Sequence, residues 1–213
     1  MVSLHGFCQS GNTFKVALAL NCLKQPWTPV FVDFMNGATL APQWRESVNE
    51  MGEVPVLEVD GRRMTQSGAI LTFLAERHGR FGGRDADEKQ EVLRWLFFDN
   101  HKTTSYLATY RFMKAFAAKP PDPVVMAWLK SRIESAFRIV ERHLEGRAFI
   151  VGTEPTIADF SICGYLFFPA DESGFDWAAT YPNIGRWLAR IRELDGWADP
   201  YDLLPGERIA LRW

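Results

Sequence analysis

The sequence predicts a small α/β domain followed by an all-α domain. Short β-like runs alternate with helical patterns up to Gly79, a Gly-rich and charged segment follows, and only helical patterns occur beyond it. Alternating strands and helices indicate one sheet covered by helices, whereas apolar residues three and four positions apart indicate helices that pack on each other. We therefore expect an α/β domain over residues 1–79, a linker over residues 80–87 and a helical domain over residues 88–213.

The strands of the first domain predict one small mixed sheet. Val2–His5 alternates apolar and polar residues, and Trp27–Phe34 is rich in residues that favour strands. Two further β-like runs, Val56–Val59 and Arg62–Thr65, flank Asp60-Gly61. Asp-Gly at this position favours a type I′ hairpin, because both central residues of that turn need a positive φ. A parallel pair and an antiparallel pair of strands would then share the sheet.

Three helices complete the first domain. Ser10-Gly11-Asn12 precedes a helical pattern that ends near Leu23, and a weaker pattern covers Pro42–Val48. Ser67 is expected to cap a third helix that ends by Gly79, since a side-chain oxygen accepts from N–H groups at a helix start and glycine suits the left-handed end. The predicted order is strand, helix, strand, helix, hairpin and helix.

Four helical patterns make up the second domain. They cover Glu88–Ala117, Val124–Leu144, Ile157–Phe168 and a last helix around Ile184–Ile191. The proline-rich residues 120–123 end the first of these patterns, because proline cannot continue a helix. Thr156-Ile157-Ala158-Asp159 has the outline of a capping box, with Asp in place of the usual Glu.

Composition argues against several classes of partner. The 213 residues include 24 Lys and Arg against 26 Asp and Glu, so a net charge of −2 offers no basic surface for nucleic acid. No apolar run approaches the roughly 20 residues of a membrane-spanning helix, and no export leader is visible. Cys8, Cys22 and Cys163 lack metal-ligand spacing, so we expect neither a disulfide framework nor a metal. Reduced thiols indicate a cytoplasmic protein.

Three segments of the first domain could together bind one ligand. Ser10-Gly11-Asn12-Thr13 and Gln66-Ser67-Gly68 each start a helix, where unpaired N–H groups and partial positive charge favour an anion. An ordinary helix cap is the alternative for each. Val54-Pro55 precedes a strand, and a cis bond there would turn the Val54 N–H and C=O outward for an extended peptide. A trans proline that starts the strand is the alternative.

In order and spacing, these segments resemble the glutathione site of cytosolic glutathione transferases, in particular bacterial, serine-type members similar to the theta and phi classes. The matching runs are Ser10-Gly11-Asn12-Thr13-Phe14-Lys15-Val16, Met51-Gly52-Glu53-Val54-Pro55-Val56-Leu57, Gln66-Ser67-Gly68-Ala69-Ile70-Leu71 and Thr156-Ile157-Ala158-Asp159. The resemblance covers essentially the whole chain, with the linker in the family's place. It implies a thioredoxin-like domain, an all-helical domain and a homodimer.

The resemblance also implies roles for single residues at the two helix starts. Ser10 would donate a hydrogen bond to the sulfur of glutathione, and Asn12 is the second choice for that role. Gln66 and Ser67 would hold the γ-glutamyl head group. Glutathione would therefore be a co-substrate, and no metal is implied.

Glu53-Val54-Pro55 would bind the rest of the peptide. Val54 is expected to pair with the cysteinyl backbone. Glu53 stands where relatives often carry Gln or Lys; its backbone would still serve, but a carboxylate near the glycyl end would repel the carboxylate of glutathione. Many relatives carry a basic pair before the second helix, and Arg45 is only a weak substitute for it.

The electrophile is expected between the first loop and the first helix of the second domain. Phe7 would line this pocket from the loop, and the helix would contribute Tyr106, Tyr110, Phe112 and Met113. Tyr106, Tyr110 and Met113 recur at helical spacing and so share one face. That face could equally be core or a dimer contact. Most other aromatic residues, including Trp95, Phe97 and Trp128, fall in helical contexts and are expected to be core.

The predicted activity is transfer of glutathione, as its thiolate, to small hydrophobic electrophiles, as in detoxification. One alternative is a glutathione-dependent disulfide or quinone reductase that uses Cys8 or a second glutathione. Relatives with a catalytic cysteine carry it at the position of Ser10, so we expect Cys8 to be a small buried residue instead. The other alternative is a binding module that keeps the fold without turnover.

Overall fold

A four-stranded sheet forms the centre of the first unit in the computed structural model, which describes residues 1–212. The strands β1 (Val2–Gly6), β2 (Thr28–Phe31), β3 (Val56–Val59) and β4 (Arg62–Thr65) lie in the order β2-β1-β3-β4. β1 pairs in parallel with β2 and antiparallel with β3, and β3 pairs antiparallel with β4. The predicted mixed sheet is confirmed, and with it the thioredoxin-like arrangement that the resemblance implies.

Turn residues account for the ends of these elements. Asp60 and Gly61 have φ of 53° and 74°, as the predicted hairpin turn requires. The predicted strand Trp27–Phe34 is too long, since β2 ends at Phe31 and residues Phe34–Asn36 form a 3₁₀ turn. Gly37 follows this turn with a φ of 83°, a conformation that favours glycine.

Helices α1 (Gly11–Cys22), α2 (Pro42–Ser47) and α3 (Ser67–His78) confirm the three predicted helices. α1 and α3 pack on each other. Gln66, not Ser67, is the N-cap residue of α3, and Ser67 is the first helical residue. The helix ends as predicted at Gly79, which adopts the left-handed conformation.

A segment near the C-terminus also belongs to the first unit. Residues Asp195–Arg208 pack there, and the segment includes the short helix α11 (Pro200–Leu203), which contacts α1. Asp195 forms an ion pair with Lys24. The segment therefore lies beside the helix that starts at the Ser10 loop.

Seven helices form the second unit within the described residues. They are α4 (Ala86–Phe98), α5 (Ser105–Ala115), α6 (Pro123–His143), α7 (Ile157–Ile162), α8 (Ala170–Ser173), α9 (Trp177–Thr180) and α10 (Pro182–Arg192). No helix among residues 1–212 is long and apolar enough to cross a membrane.

The predicted helix Glu88–Ala117 is wrong as a single α-helix, because the π-helical turn Asp99–Thr104 separates α4 from α5. The buried carboxylate of Asp99 accepts hydrogen bonds from Ser161 Oγ at 2.5 Å, from Thr104 Oγ1 at 2.8 Å and from Thr103 Oγ1. These bonds give the irregular turn a polar centre. The helix predicted over Ile157–Phe168 is also shorter, since residues Cys163–Tyr165 form a 3₁₀ turn.

The predicted capping box at the start of α7 is confirmed. Asp159 Oδ2 accepts from the backbone N–H and the hydroxyl of Thr156, at 2.8 and 3.0 Å. Asp159 Oδ1 accepts from the Ile150 N–H and from Trp187 Nε1, both at 2.8 Å. Burial raises the pKa of Asp159 to about 6, so at neutral pH a carboxylate accepts these four bonds. One buried side chain thus joins α7, α10 and the loop before α7.

The aromatic residues of the second unit are not all core. Trp95 is buried as expected, but Phe97 is 66% exposed and Trp128 is 54% exposed. The expectation that these two residues lie in the core is therefore wrong. Helical spacing did not reveal which face of α4 or α6 meets other helices.

Candidate functional site

Ser10 lies at the start of α1, in the loop that leaves β1. It is the N-cap residue, and its Oγ accepts a hydrogen bond from the Thr13 N–H at 3.1 Å. The hydroxyl of Thr13 also donates to Ser10 Oγ, at 2.9 Å. Ser10 therefore forms the ordinary helix cap that the sequence left open as one alternative. This cap does not conflict with the other alternative, a site for an anion, since one residue can do both.

The two hydrogen bonds from Thr13 determine which hydrogen-bonding positions of the Ser10 hydroxyl remain unoccupied. A hydroxyl has two acceptor positions and one proton to donate. Thr13 fills both acceptor positions, so the proton of Ser10 remains for another acceptor. Gly11 and Asn12 at the first helical positions add N–H groups that have no partner within the helix. This arrangement favours an anion at the start of α1.

A side-chain contact joins the starts of α1 and α3. Ser67 Oγ donates to Asn12 Oδ1 at 3.4 Å, in a partly buried position. The N–H groups of Ser67, Gly68 and Ala69 have no carbonyl partner within α3, because the first intrahelical bond runs from Ile70 to Gln66. The fold therefore brings two predicted site segments together at one end of the first unit, although Asn12 and Ser67 are 55 residues apart in the sequence.

The Val54–Pro55 peptide bond is cis, which is one of the two alternatives left open by the sequence. Within the described residues, neither the N–H nor the C=O of Val54 takes part in a hydrogen bond. Asn49 supports this loop, since its Nδ2 donates to the Glu53 carbonyl at 2.9 Å and its Oδ1 accepts from the Met51 N–H at 3.1 Å. Val54 therefore offers both main-chain groups to an extended peptide.

Two residues that support the site were not predicted from the sequence. Thr13 positions the hydroxyl of Ser10, and Asn49 positions the loop before Val54. The bond from Asn49 Oδ1 to the N–H two residues on is typical of Asn at turns, so the Asn49-Glu50-Met51-Gly52 run carried a usable signal. No comparable signal marks Thr13, because its contact depends on the geometry of the cap.

Gln66 and Glu53 contact each other in front of α3. Gln66 Nε2 donates to Glu53 Oε2 at 3.0 Å and to Met51 Sδ at 3.1 Å. The backbone of Gln66 has a φ of 67°, which is uncommon for a residue with a side chain. Arg45, the weak substitute for a basic pair, lies beside Gly52: a Cβ built on Gly52 would be 2.6 Å from Arg45 Nη2.

Cys8 and Gln9 contact the C-terminal segment of the first unit. The Cys8 thiol donates to the Glu207 carbonyl at 3.3 Å, and Gln9 Nε2 donates to the same oxygen at 2.8 Å. Cys8 has no exposed surface. These observations agree with the expectation of a small buried residue at position 8. Within residues 1–212, no group of three or more His, Cys, Asp or Glu side chains is arranged to hold a metal ion.

The residues predicted for the electrophile pocket lie in both units. In the first unit, Phe7 is buried and stacks on Phe34, with ring centroids 4.9 Å apart. In the second unit, Tyr106 meets Trp128 edge to face at 5.6 Å, and the buried Tyr110 meets Phe175 at 5.8 Å. The pocket itself stays a prediction.

Phe112 and Met113 follow Tyr110 on α5. Phe112 is 42% exposed, whereas Met113 is half-buried. Burial raises the pKa of the Tyr110 hydroxyl, and the nearby Glu134 carboxylate adds to this effect. Tyr110 is therefore a neutral hydroxyl at physiological pH, able to donate a hydrogen bond.

Family models match both parts of the chain. The N-terminal domain of glutathione S-transferases matches residues 4–84, and the C-terminal domain of glutathione S-transferases matches residues 126–190. The first match contains every predicted residue of the glutathione site. The second contains the capping box at Thr156–Asp159.

Individual relatives resemble the chain over nearly its whole length. A glutathione S-transferase-like protein, LUC7 of a Fusarium species, is 30% identical over 203 residues, which cover 90% of this chain and 89% of the relative. The crystal structure of a glutathione S-transferase from Pseudomonas fluorescens is 31% identical, with a TM-score of 0.80 and coverage of 90% and 94% of the two chains. That of a glutathione S-transferase from Xanthobacter autotrophicus is 28% identical, with a TM-score of 0.85 and coverage of 95% and 98%.

Proposed function

Because the chain belongs to the glutathione S-transferase family, we propose that it binds glutathione as the thiolate and transfers it to small hydrophobic electrophiles. The observation that carries this proposal is the Ser10 hydroxyl. It lies at the start of α1 with both acceptor positions filled by Thr13, so its proton is available to a thiolate.

Glutathione fits the groups that surround Ser10. Its cysteinyl backbone would pair with the N–H and C=O of Val54, ahead of the cis bond to Pro55. Its γ-glutamyl carboxylate would meet the N–H groups at the start of α3, beside Ser67 and Gln66. The contact between Ser67 and Asn12 supports this arrangement, since it links the start of α3 to the start of α1.

The energetic requirement for the thiolate is modest. A free thiol with a pKa of about 8.5 is only a few per cent ionised at pH 7. Lowering this pKa by about two units needs roughly 2.7 kcal/mol of preferential stabilisation of the thiolate. A hydrogen bond to a charged group contributes about 1.5–3 kcal/mol, and the start of a helix adds to it. Ser10 and the first turn of α1 supply these two contributions.

The conjugation reaction needs no covalent intermediate between the protein and either substrate. The thiol proton leaves to solvent, and the thiolate attacks the electrophilic carbon to form a carbon–sulfur bond. With an aryl halide the halide departs, and with an α,β-unsaturated carbonyl compound the resulting enolate takes a proton from solvent. The protein positions the two reactants and stabilises the thiolate. Phe7, Tyr106, Tyr110, Phe112 and Met113 are proposed to hold the apolar electrophile.

The proposal includes a homodimer in the cytoplasm. Large apolar side chains on the second unit support the dimer, since Phe97, Trp128 and Ile139 are each more than half exposed. The three cysteines are buried thiols, which is compatible with a reducing compartment.

Calorimetric titration with reduced glutathione, followed by turnover with an aryl halide and with an α,β-unsaturated carbonyl compound, tests the proposed function. We expect saturable binding and glutathione-dependent conjugation of at least one electrophile. Binding without any conjugation would contradict the transferase and favour a binding module. Absence of binding would contradict the proposal as a whole.

A Cys8→Ser variant tests the alternative that the protein is a disulfide reductase that uses Cys8. We expect the variant to keep the activity of the native protein toward a glutathione mixed disulfide, because Cys8 is fully buried. Loss of a disulfide reductase activity in this variant alone would assign the chemistry to Cys8.

A further inference from the structure

The π-helical turn Asp99–Thr104 determines which face of α5 lies in the core of the second unit. Trp95, on α4, and Asp99, at the start of the turn, lie four residues apart and are both buried. In an uninterrupted α-helix, the residues seven, eleven and fourteen positions after Asp99 would continue this buried face, because a turn takes about 3.6 residues. Those residues are Tyr106, Tyr110 and Met113, which were predicted to line the electrophile pocket.

The buried face of α5 is displaced by one residue from that pattern. The most buried residues of the helix are Leu107, Arg111 and Ala115. They lie eight, twelve and sixteen positions after Asp99. Tyr106 and Met113 are only partly buried, whereas Tyr110 stays buried. Hydrogen bonds in a π-turn run to the fifth residue and not to the fourth, so the turn inserts one residue and accounts for the displacement.

Arg111 shows that the displaced face belongs to the core. Its Nε donates to Glu172 Oε2 at 2.9 Å, and both side chains are buried. Its guanidinium also lies 3.8 Å from the centre of the Phe168 ring. A buried arginine is tolerated when a carboxylate pairs with it, so this ion pair holds position 111 inside the second unit.

The carboxylate of Asp99 accepts one hydrogen bond that is specific to the π-turn. In an α-helix, the third and fourth residues after a given position lie beside it, whereas a π-turn also brings the fifth residue there. Thr104 is the fifth residue after Asp99, and its Oγ1 donates to Asp99 Oδ1 at 2.8 Å. Thr103, the fourth residue, donates to the same oxygen. The bond from Thr104 thus stabilises the π-turn against a continuous α-helix, whereas the bond from Thr103 is compatible with both.

We propose that the hydrogen bond between Thr104 and Asp99 positions α5 for the electrophile. By stabilising the π-turn, it keeps Tyr106 and Met113 out of the core and leaves their face of α5 open to an apolar electrophile. Asp99 and Thr104 are buried, so they act through α5 and are positioning residues. Turns of this kind are rare and occur frequently at functional sites. The inference rests on the proposed function, because it assumes that this face of α5 binds the electrophile.

Steady-state kinetics with an aryl halide test the effect on the electrophile. Thr104→Val keeps the shape of the side chain but removes the bond that is specific to the π-turn. We expect KM for the aryl halide to rise about fivefold with little change in kcat. The Kd of glutathione should not change, because its proposed site lies in the first unit. Thr104→Ser restores the hydroxyl and should recover the native KM.

Thr103→Val is the matched control. It removes the neighbouring hydroxyl from the same buried carboxylate, but the lost bond does not distinguish a π-turn from an α-helix. We expect this variant to lose stability in thermal unfolding and to keep the native KM for the aryl halide. If Thr104→Val does not fold, Thr104→Ala removes the same hydroxyl with less bulk and should give the same rise in KM.

Thiol labelling of Tyr106→Cys reports the position of α5 without any need for turnover. The three native cysteines are buried, so the new thiol is the accessible one. Adding Thr104→Val should slow the labelling about fivefold, because a continuous α-helix turns position 106 toward the core. Adding Thr103→Val should leave the labelling rate unchanged.

Two results would overturn the inference alone. One is a native KM for the aryl halide in Thr104→Val, or an equal rise in KM in Thr103→Val. The other is an unchanged or faster labelling rate when Thr104→Val is added to Tyr106→Cys. If the native protein conjugated no electrophile, the proposed function would fall, and the labelling rates would still decide whether Thr104 holds the position of α5.

Discussion

Thr13 shows how a single residue orients the hydroxyl of Ser10. It has no exposed surface, and its N–H and hydroxyl both point at Ser10 Oγ. Gly6 leaves the room that Thr13 occupies, since a Cβ at Gly6 would collide with the Thr13 side chain. The hydroxyl of Ser10 is therefore oriented by its neighbours before any ligand binds.

Replacing Thr13 by Val tests this orienting role. The side chain keeps its shape but loses the hydroxyl that donates to Ser10. We expect kcat/KM for conjugation to fall about fivefold, which corresponds to the loss of one hydrogen bond of about 1 kcal/mol. Thr13→Ser restores the hydroxyl and should recover most of the loss. A Thr13→Val protein with native kcat/KM across the pH profile would contradict the role.

At the scale of elements, local signals predicted the ends of helices and strands better than their continuity. The Asp60-Gly61 turn and the Thr156–Asp159 capping box were predictable because a few neighbouring residues determine each of them. The π-helical turn Asp99–Thr104 was not, since the apolar pattern continues through it and its bonds to Asp99 include one from the distant Ser161.

Some features of the candidate site were likewise predictable from local sequence signals, and others were not. The helix start at Ser10 could be located from the sequence, because a capping side chain marks it, whereas the cap of α3 was predicted one residue late, at Ser67 instead of Gln66. The contact between Glu53 and Gln66 could not be predicted, because Glu53 precedes β3 and Gln66 follows β4, at opposite ends of the hairpin sequence. Side-chain direction at exposed positions depends on such distant neighbours.

Asp159→Asn tests the capping box as a structural centre. The amide replaces one acceptor oxygen by an NH₂ group that faces buried donors, so at least one donor loses its partner. We expect a loss of about 1–3 kcal/mol in the free energy of unfolding, measured by urea denaturation. Asp176→Asn, at the exposed cap of α9, is the control and should cost less.

His143, at the end of α6, gives the fold a pH dependence. Burial lowers its pKa, and the nearby Arg147 and Arg94 act in the same direction, while its Nε2 donates to the Ile150 carbonyl at 2.7 Å. Because the folded pKa is below the unfolded value of about 6.5, the unfolded chain binds a proton first as the pH falls. Its contribution to stability is present above pH 6.5 and lost below it.

Unfolding free energies of native protein and His143→Gln between pH 5 and 8 measure this contribution. Gln keeps an N–H donor for Ile150 but does not titrate, so we expect the native protein to lose stability more steeply below about pH 6.5. Parallel curves for the two proteins would show that His143 does not titrate differently on folding.

For the whole molecule, exposed apolar side chains on α4 and α6 support the proposed homodimer. Phe97 on α4, together with Trp128 and Ile139 on α6, would be costly to leave in water. We expect sedimentation to give twice the chain mass of 24.3 kDa. Phe97→Asp should shift the protein toward the monomer, whereas Lys130→Asp, at a charged exposed position on α6, should leave the mass unchanged. A native monomer would contradict the dimer.

The proposed function requires that the start of α1 ionises glutathione through Ser10. Ultraviolet titration of the thiolate of bound glutathione measures this ionisation. In the native protein we expect a thiol pKa about two units below the free value of about 8.5, and in Ser10→Ala a return toward that value. Ser131→Ala, which removes an exposed hydroxyl from α6, should match the native protein. A native pKa equal to that of free glutathione would contradict the proposed function, and a lowered pKa that survives in Ser10→Ala would assign stabilisation of the thiolate to Asn12.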